Sequence, residues 1–506
     1  MRMTWAGLLA IVVLVAGCDA VGGAGSDSSA SGGGDRRVER KAANPPPGLP
    51  AAFTTGQRLA WSTCPAPSAA QGDGRAPGKA WECATMKAPL DYRRPGRGTI
   101  DVAMIRKRVT GPERKRIGSL LLNFGGPGQS GVVGLPEYVP QYAPLGERYD
   151  LVSFDPRGVG ATAPVTCGEK RFEGGDACQK HSGRLLPHVG TSQTARDLDL
   201  MRYLLGDEKL SYFGVSYGTK LGGVYAHLFP ENVGRLVLEA PIDPTLNHLQ
   251  KDLVQVTAFQ LAFDQFARHC ANAYDDCPTG TDPSQANRRV VDLLAKLKNK
   301  PAPTNGDRKL DEGSAVQAIA NYLDLGEEGW WPLAQSLTEV MDRGTGSKLI
   351  EKAYSHGSRR GSRATAPGGN GMSSLVAITC ADSNLRPGFF ELERTIKRLQ
   401  AASPVFGEQW AKSAYLCHAW PFKGERADPD VSADGASPIL VVANTGDPTT
   451  PYTGAQRMAA ELGEGVGVLL TVHAEGHGSY PHNRCAARAV RKYLLDGTTP
   501  ATGCGP

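Results

Sequence analysis

Three side chains in one order suggest covalent acyl chemistry. Ser216 stands in Gly214-Val215-Ser216-Tyr217-Gly218, directly after the apolar run Leu210 to Phe213 and directly before a helical pattern that reaches Phe229-Pro230. A strand passing through a tight turn into a helix would thrust the Ser216 hydroxyl above a sheet edge. The Tyr217 N–H, at the helix start, would face developing negative charge. Gly214 and Gly218 permit close backbone approach, and Gly222-Gly223 let the helix pack tightly. A hydroxyl becomes a nucleophile only with a base, and the base needs a group to orient it. His477, in Ala474-Glu475-Gly476-His477-Gly478, follows the last apolar run and precedes the final helical pattern, whereas His473 sits at the strand end and His482 enters the helix. Asp447, in Asn444-Thr445-Gly446-Asp447-Pro448, lies just past the run Pro438 to Ala443. Asp243 is its competitor for the acid, and Thr450 is close enough to Asp447 to hydrogen-bond its carboxylate.

Such a serine also needs a second N–H donor for the tetrahedral oxyanion. Asn123-Phe124-Gly125-Gly126-Pro127-Gly128, at the end of the run Ser119 to Phe124, stands at the right place, and Gly126 is favoured over Gly125 as the donor. Phosphate cradling is the poorer reading of this loop, since the Lys-Ser/Thr of a P-loop is missing. In the implied reaction His477 takes the Ser216 proton, Asp447 holds the imidazole tautomer, and water releases the acyl group.

The elements that must position these groups can be read from the punctuation. Apolar runs at Thr99 to Val109, Ser119 to Phe124, Tyr149 to Phe154, Leu210 to Phe213, Arg235 to Glu239, Pro438 to Ala443 and Gly465 to Val472 end in Gly, Asp or Pro and alternate with helical patterns such as Ser192 to Gly206. That alternation predicts a mostly parallel central sheet with helices on both faces. The rhythm stops over 246–375, a largely helical stretch that reads as a cap inserted between a core half at 51–245 and another at 376–506.

Composition sets the compartment and removes one class. The chain has 506 residues and a net charge of only +5, too little for a nucleic-acid binder, so no nucleic-acid partner is expected. Its one basic cluster, Arg106-Lys107-Arg108 with Arg114-Lys115-Arg116, brackets Thr110-Gly111-Pro112 and reads as the solvated arms of a hairpin. Eleven cysteines are an odd number, but Val15-Ala16-Gly17-Cys18 after a short apolar segment resembles a lipobox. Residues 1–17 then form a signal, Cys18 carries lipid that anchors the protein to a membrane, and 18–50 form a Gly/Ser-rich, then Pro-rich, disordered tether. Ten cysteines remain, and export favours five disulfides, most economically between chain neighbours. No C-x-x-C spacing calls for a metal, and no cofactor is expected.

Taken together, these motifs resemble the secreted α/β-hydrolase peptidases related to prolyl aminopeptidase, and among them the actinomycete tripeptidyl aminopeptidases with their characteristic C-terminal region. The likeness runs from about residue 60 onward and rests on Gly125-Gly126-Pro127-Gly128 with Ser130-Gly131, Asp155-Pro156-Arg157-Gly158-Val159-Gly160, Tyr212 to Thr219, Tyr225-Ala226 with Phe229-Pro230, Cys380 with Asp382, Cys417 with Trp420-Pro421, and Asp447-Pro448. It departs at Phe124, where the family often has Pro, and at Glu239-Ala240, where it often has Asp-Gly. The resemblance implies an α/β-hydrolase fold and release of short N-terminal peptides from substrates with a free N-terminus. A free ammonium calls for a carboxylate at the pocket wall, and Glu327, Glu328, Asp382 and Glu239 are the candidates. Two other readings share these residues: a carboxylesterase or lipase using the same three groups, and an inactive surface lipoprotein that binds peptides.

Overall fold

The computed structural model of the chain describes residues 43–168, 174–354, 369–424, 430–500 and 503–505. The expected signal, Cys18 and most of the expected tether lie outside the described residues. The end of that stretch lies on the protein: Arg202 Nη2 donates to the Asn44 carbonyl at 2.9 Å, and Leu49 packs against the core.

Nine strands form one sheet: β1 (Ser62–Thr63), β2 (Glu82–Pro89), β3 (Thr99–Lys107), β4 (Gly118–Asn123), β5 (Tyr149–Phe154), β6 (Leu210–Val215), β7 (Val233–Glu239), β8 (Ile439–Gly446) and β9 (Gly467–Glu475). Their spatial order is β1-β2-β3-β5-β4-β6-β7-β8-β9. From β5 to β9 every pairing is parallel, while β1, β2 and β3 pair antiparallel at one end. The parallel strands read as unbroken apolar runs because both of their faces are covered. Successive side chains of β4 to β8 enter two different cores. Leu121, Tyr212, Leu236, Leu238 and Val441 point to one side; Leu120, Leu122, Phe213, Val237 and Leu440 point to the other. Helices Thr191–Leu204, Tyr217–Leu228 and Tyr452–Glu461 cover the first face, and Gly131–Gly146 and Arg484–Asp496 cover the second. Leu121 and Leu122 are fully buried, so truncating either to Ala should cost about 2–5 kcal/mol.

The basic cluster does not form a hairpin. β5 lies between β3 and β4, and the arginines are paired rather than merely solvated: Arg106 Nε donates to Glu82 Oε2 at 2.6 Å, and Arg116 contacts Asp150 Oδ2 at 2.9 Å. β4 and β5 are parallel, so the chain between them crosses over through the helix Gly131–Gly146 and returns β5 into the place beside β3 that a hairpin would have given to β4.

After β7 the chain leaves the sheet and builds a separate helical core. Helices His248–Ala273, Ala286–Asn299, Glu312–Leu323, Glu327–Asp342, Ser347–Tyr354 and Phe389–Ala402 share buried residues including Phe259, Phe263, Phe266, Leu294, Ile319, Leu337 and Leu399. The helix Gly371–Ala381 instead packs with Val159, Val189, Tyr217 and Trp420 on the sheet side. Five disulfides, Cys64–Cys83, Cys167–Cys178, Cys270–Cys277, Cys380–Cys417 and Cys485–Cys504, join cysteines that are neighbours along the chain. Each restricts the unfolded chain, the longest loop, Cys380–Cys417, the most. A mostly parallel sheet covered on both faces, with a helical insertion after β7, is the α/β-hydrolase fold.

Candidate active site

Ser216 owes its position to backbone packing. It follows β6, flanked by β4 and β7, and takes φ 56°, ψ −120°, a conformation that costs a non-glycine residue about 1–3 kcal/mol. The surroundings hold it there. Its N–H donates to the Glu239 carbonyl at the end of β7 (3.0 Å), and its own carbonyl accepts from the Thr219 N–H (2.8 Å) and the Thr219 hydroxyl (2.6 Å). The turn closes because Gly214 and Gly218 lack side chains: a Cβ on Gly214 would lie 2.3 Å from the Gly218 carbonyl oxygen. Tyr217 then opens the helix Tyr217–Leu228, so its N–H has no intrahelical acceptor.

The loop after β4 reaches the same point. Gly125, at φ +90°, lies so close that a Cβ there would stand 3.0 Å from Ser216 Cβ and 3.3 Å from the Tyr217 nitrogen. Its N–H is committed to Asn123 Oδ1 at 3.1 Å, whereas the Gly126 N–H has no acceptor among the described residues and Gly126 is exposed. At its far end the loop is pinned by Ser130, which donates to Asp155 Oδ1 at 2.6 Å and caps the helix Gly131–Gly146. Asp155 also accepts from the N–H groups of Val132 and Ala161 and from Gln71 Nε2. Two residues on, Arg157 pairs with Asp197 in the interior, Nε to Oδ2 at 2.6 Å. The Asp-Pro-Arg-Gly motif is thus a strut beneath the Gly125–Gly128 loop.

His477 is held by side chains from several segments. Its Nδ1 lies 2.9 Å from Asp447 Oδ2 and 3.1 Å from Oδ1. Asp447, buried past the end of β8, also accepts from the Thr449 N–H (2.9 Å), the Thr450 N–H (2.8 Å) and the Thr450 hydroxyl (2.9 Å). Asn444 brackets the histidine, its Nδ2 donating to the carbonyls of Gly476 (2.8 Å) and Gly478 (3.0 Å). The His477 N–H donates to the carbonyl of Asp324, which ends the helix Glu312–Leu323 of the inserted region (2.8 Å). Burial disfavours the imidazolium, but Asp447 overrides it by charge and hydrogen bond, with Asp324 and Glu239 adding to it, and His477 is raised to about 9.

Asp243 does not meet the histidine; its Oδ1 is taken by the N–H and hydroxyl of Thr245. Among the carboxylates suggested for an ammonium, Glu239 is buried and Asp382 half-buried, and both are committed elsewhere. Glu239 accepts from the N–H groups of Ser479 and Tyr480, and burial pushes it up to about 7. Asp382 accepts from the Thr191 N–H and hydroxyl and pairs with Lys220 at 2.6 Å. Glu327 and Glu328 are exposed on the first turn of Glu327–Asp342. Three further groups escape the sequence reading: Asp324, Asn444 and Glu475. Burial, together with Glu327, raises the Glu475 carboxyl, and in the amide orientation that satisfies both groups Gln265 donates to its Oε1 (3.0 Å) and Oε2 (2.6 Å). Asn444 stands in the Asp447 loop, but nothing local marks its bonds across to Gly476 and Gly478. Among the described residues no three His, Cys, Asp or Glu side chains converge as a metal site requires.

The chain is similar to known proteins. The family model for TAP-like proteins matches residues 403–505, which carry Asp447 and His477. The chain is 32% identical to serine protease Hip1 of Mycobacterium tuberculosis over 99% of its own length and 97% of the relative's. It is 30% identical to a tripeptidyl aminopeptidase of Streptomyces lividans (99% and 96%), and 30% identical to a protein of M. tuberculosis named carboxylesterase B (84% and 86%). The chain is a serine hydrolase, and it belongs to the TAP-like family of α/β-hydrolases.

Proposed function

We propose that the protein is an exported serine exopeptidase that releases short N-terminal peptides from substrates with a free N-terminus. The observation that carries the chemistry is the contact of the half-buried His477 with the buried Asp447, on the same sheet edge as the strained Ser216 turn. In this reading His477 takes the Ser216 proton through Nε2 as the hydroxyl attacks the carbonyl. The N–H groups of Tyr217 and Gly126 receive the oxyanion. His477 then returns the proton to the leaving amine, and water, deprotonated by the same nitrogen, frees the acyl group. Asp447 fixes the Nδ1–H tautomer and favours the imidazolium that forms.

An exopeptidase must also read the substrate's end. Glu327, exposed and close enough to Glu475 to raise its carboxyl, stands beside the turn that carries His477 and is the carboxylate best disposed to receive an ammonium. The relatives named serine protease and tripeptidyl aminopeptidase support peptide substrates. Five disulfides suit an oxidising compartment, which supports export; lipid on Cys18 would hold the protein at the membrane surface. A second reading, ester hydrolysis by the same groups, is favoured by the relative named carboxylesterase B. Hydrolysis of tripeptidyl and aminoacyl chromogenic amides, free and N-acetylated, set against short fatty esters, decides between them. Preference for free amides is expected; preference for blocked amides or for esters removes the exopeptidase reading.

A further inference from the structure

A second cluster of charged and imidazole groups lies beside the oxyanion loop, outside the constellation described above. Pro127, Tyr217, Lys220, His248, Lys251 and Asp382 line a cavity of about 50 Å³, room for one small polar group. Two of these residues adjoin the Gly126 and Ser216 backbone, so the cavity shares a wall with the site.

His248 is the anomaly in it. It is 7% exposed, at the first position of the 26-residue helix His248–Ala273, and neither of its ring nitrogens has a hydrogen-bond partner. A neutral imidazole carries one donor and one acceptor, and leaving either unmet in the interior is costly. Burial, with Lys251, Arg386 and Lys220 adding their charges, pushes its pKa down to about 4. Lys251 sits one turn further along the same helix; burial and Lys220 lower its pKa, while Asp252 and Asp382 oppose them. The carboxylates nearby are already supplied with donors. Asp382 has Lys220 and Thr191, Asp243 has Thr245, and Asp252 accepts from the Ser413 hydroxyl at 2.6 Å. The positive end of a long helix points the same way. With Asp382 and Asp243 so taken, no carboxylate of the cavity is hydrogen-bonded to His248 or Lys251.

We propose that this cavity is a carboxylate subsite, in which Lys251 and a protonated His248 bind one carboxylate of a peptide substrate. The carboxylate is an acidic side chain near the scissile bond or the free C-terminus of a short peptide. The proposal rests on the peptidase reading above. A bound anion favours the imidazolium, so binding takes one proton from solvent and tightens as pH falls.

The test measures kcat/KM for matched peptides carrying Glu or Gln at each position flanking the scissile bond, and ending in a free or amidated C-terminus, at pH 5.5 and pH 8. One pair is expected to favour its anionic member by roughly tenfold or more, through KM, and more so at pH 5.5. Which pair responds tells a side chain from a terminus. Lys251→Met, and independently His248→Gln, should bring that ratio close to one. Equal rates within every pair, or a preference that survives both substitutions, overturns the subsite. Should no peptide be cleaved, the peptidase reading falls, and calorimetry with N-acetylglutamate on the full protein decides the subsite alone. Binding lost in Lys251→Met supports it, and no binding to the wild type overturns it.

Discussion

The Ser216 turn and the His477 loop reach the same sheet edge by different means. Ser216 is placed by main chain: a strained φ, a hydrogen bond from its N–H to the Glu239 carbonyl, and glycines at 125, 214 and 218 that let three backbones meet. His477 is placed mostly by side chains brought from far apart: Asp447 and Thr450 after β8, Asn444 within it, and Glu239 through the adjoining N–H groups, with one carbonyl from Asp324. The first arrangement is stiff and written in consecutive residues. The second is adjustable in charge, because four carboxyl, hydroxyl and amide groups set the imidazole's orientation and proton affinity.

If that contrast is right, the two halves should fail differently. The largest effect is expected from Ser216→Ala, which removes the attacking atom and should lower kcat by roughly 10⁶-fold with near-UV circular dichroism unchanged; activity within tenfold of the wild type would end the reading of Ser216. Asp447→Asn keeps the shape but supplies the wrong tautomer, and should lower kcat by about 10⁴-fold. In the wild type the acid limb of kcat/KM should rise well above the ordinary imidazole value of 6.5, toward about 9; a limb near 6.5 would show that the carboxylates do not act on His477.

Gly125→Ala attacks the backbone half. Its Cβ would meet the Val215 carbonyl at 2.6 Å and Ser216 Cβ at 3.0 Å, so kcat should fall by roughly 10²–10³ and the melting temperature should fall with it. Thr450→Val attacks the side-chain half alone, removing the hydroxyl from Asp447 Oδ2. A loss of about tenfold is expected, largely restored by Thr450→Ser, and a Val variant with unchanged kcat would take Thr450 out of the account.

The smallest effect concerns stability. Glu239 binds its proton more tightly folded than unfolded, so stability declines as pH rises from 4.5 through about 7. The pairing of His477 contributes fully below 6.5 and is lost as pH rises through about 9. Melting temperature should fall across both windows. Glu239→Gln should flatten only the lower one, and an unaltered slope there would contradict the buried acid.

Much of the fold was legible because its strands are buried on both faces and end in Gly, Asp or Pro. The runs predicted at Thr99, Ser119, Tyr149, Leu210, Arg235, Pro438 and Gly465 correspond to β3 to β9, with ends shifted by a few residues. β1 and β2 escaped notice; β1 is two residues long and both are exposed. The helix Gly131–Gly146 carries Pro136, Pro140 and Pro144, residues that ordinarily argue against a helix interior. It forms because Leu135, Tyr142 and Leu145 are buried on the sheet and Ser130 caps it, a gain that local propensity does not report. The supposed hairpin at Thr110 failed for a related reason: two basic arms around Gly-Pro say nothing of a third strand that will come between them.

By itself, the sequence determined what is local: the glycine-bounded Ser216 turn, the glycine-rich loop after β4, and the strand ends that carry Asp447 and His477. Tertiary structure alone decided which carboxylate meets His477, that Asp382 and Glu239 are spent inside the protein, that Asp324 crosses from the helical insertion to hold the histidine turn, and that His248 is buried without a partner. The physical reason is range. A turn is fixed by the sterics of a few consecutive residues, whereas burial and charge depend on groups that only the packed chain brings within a few ångströms.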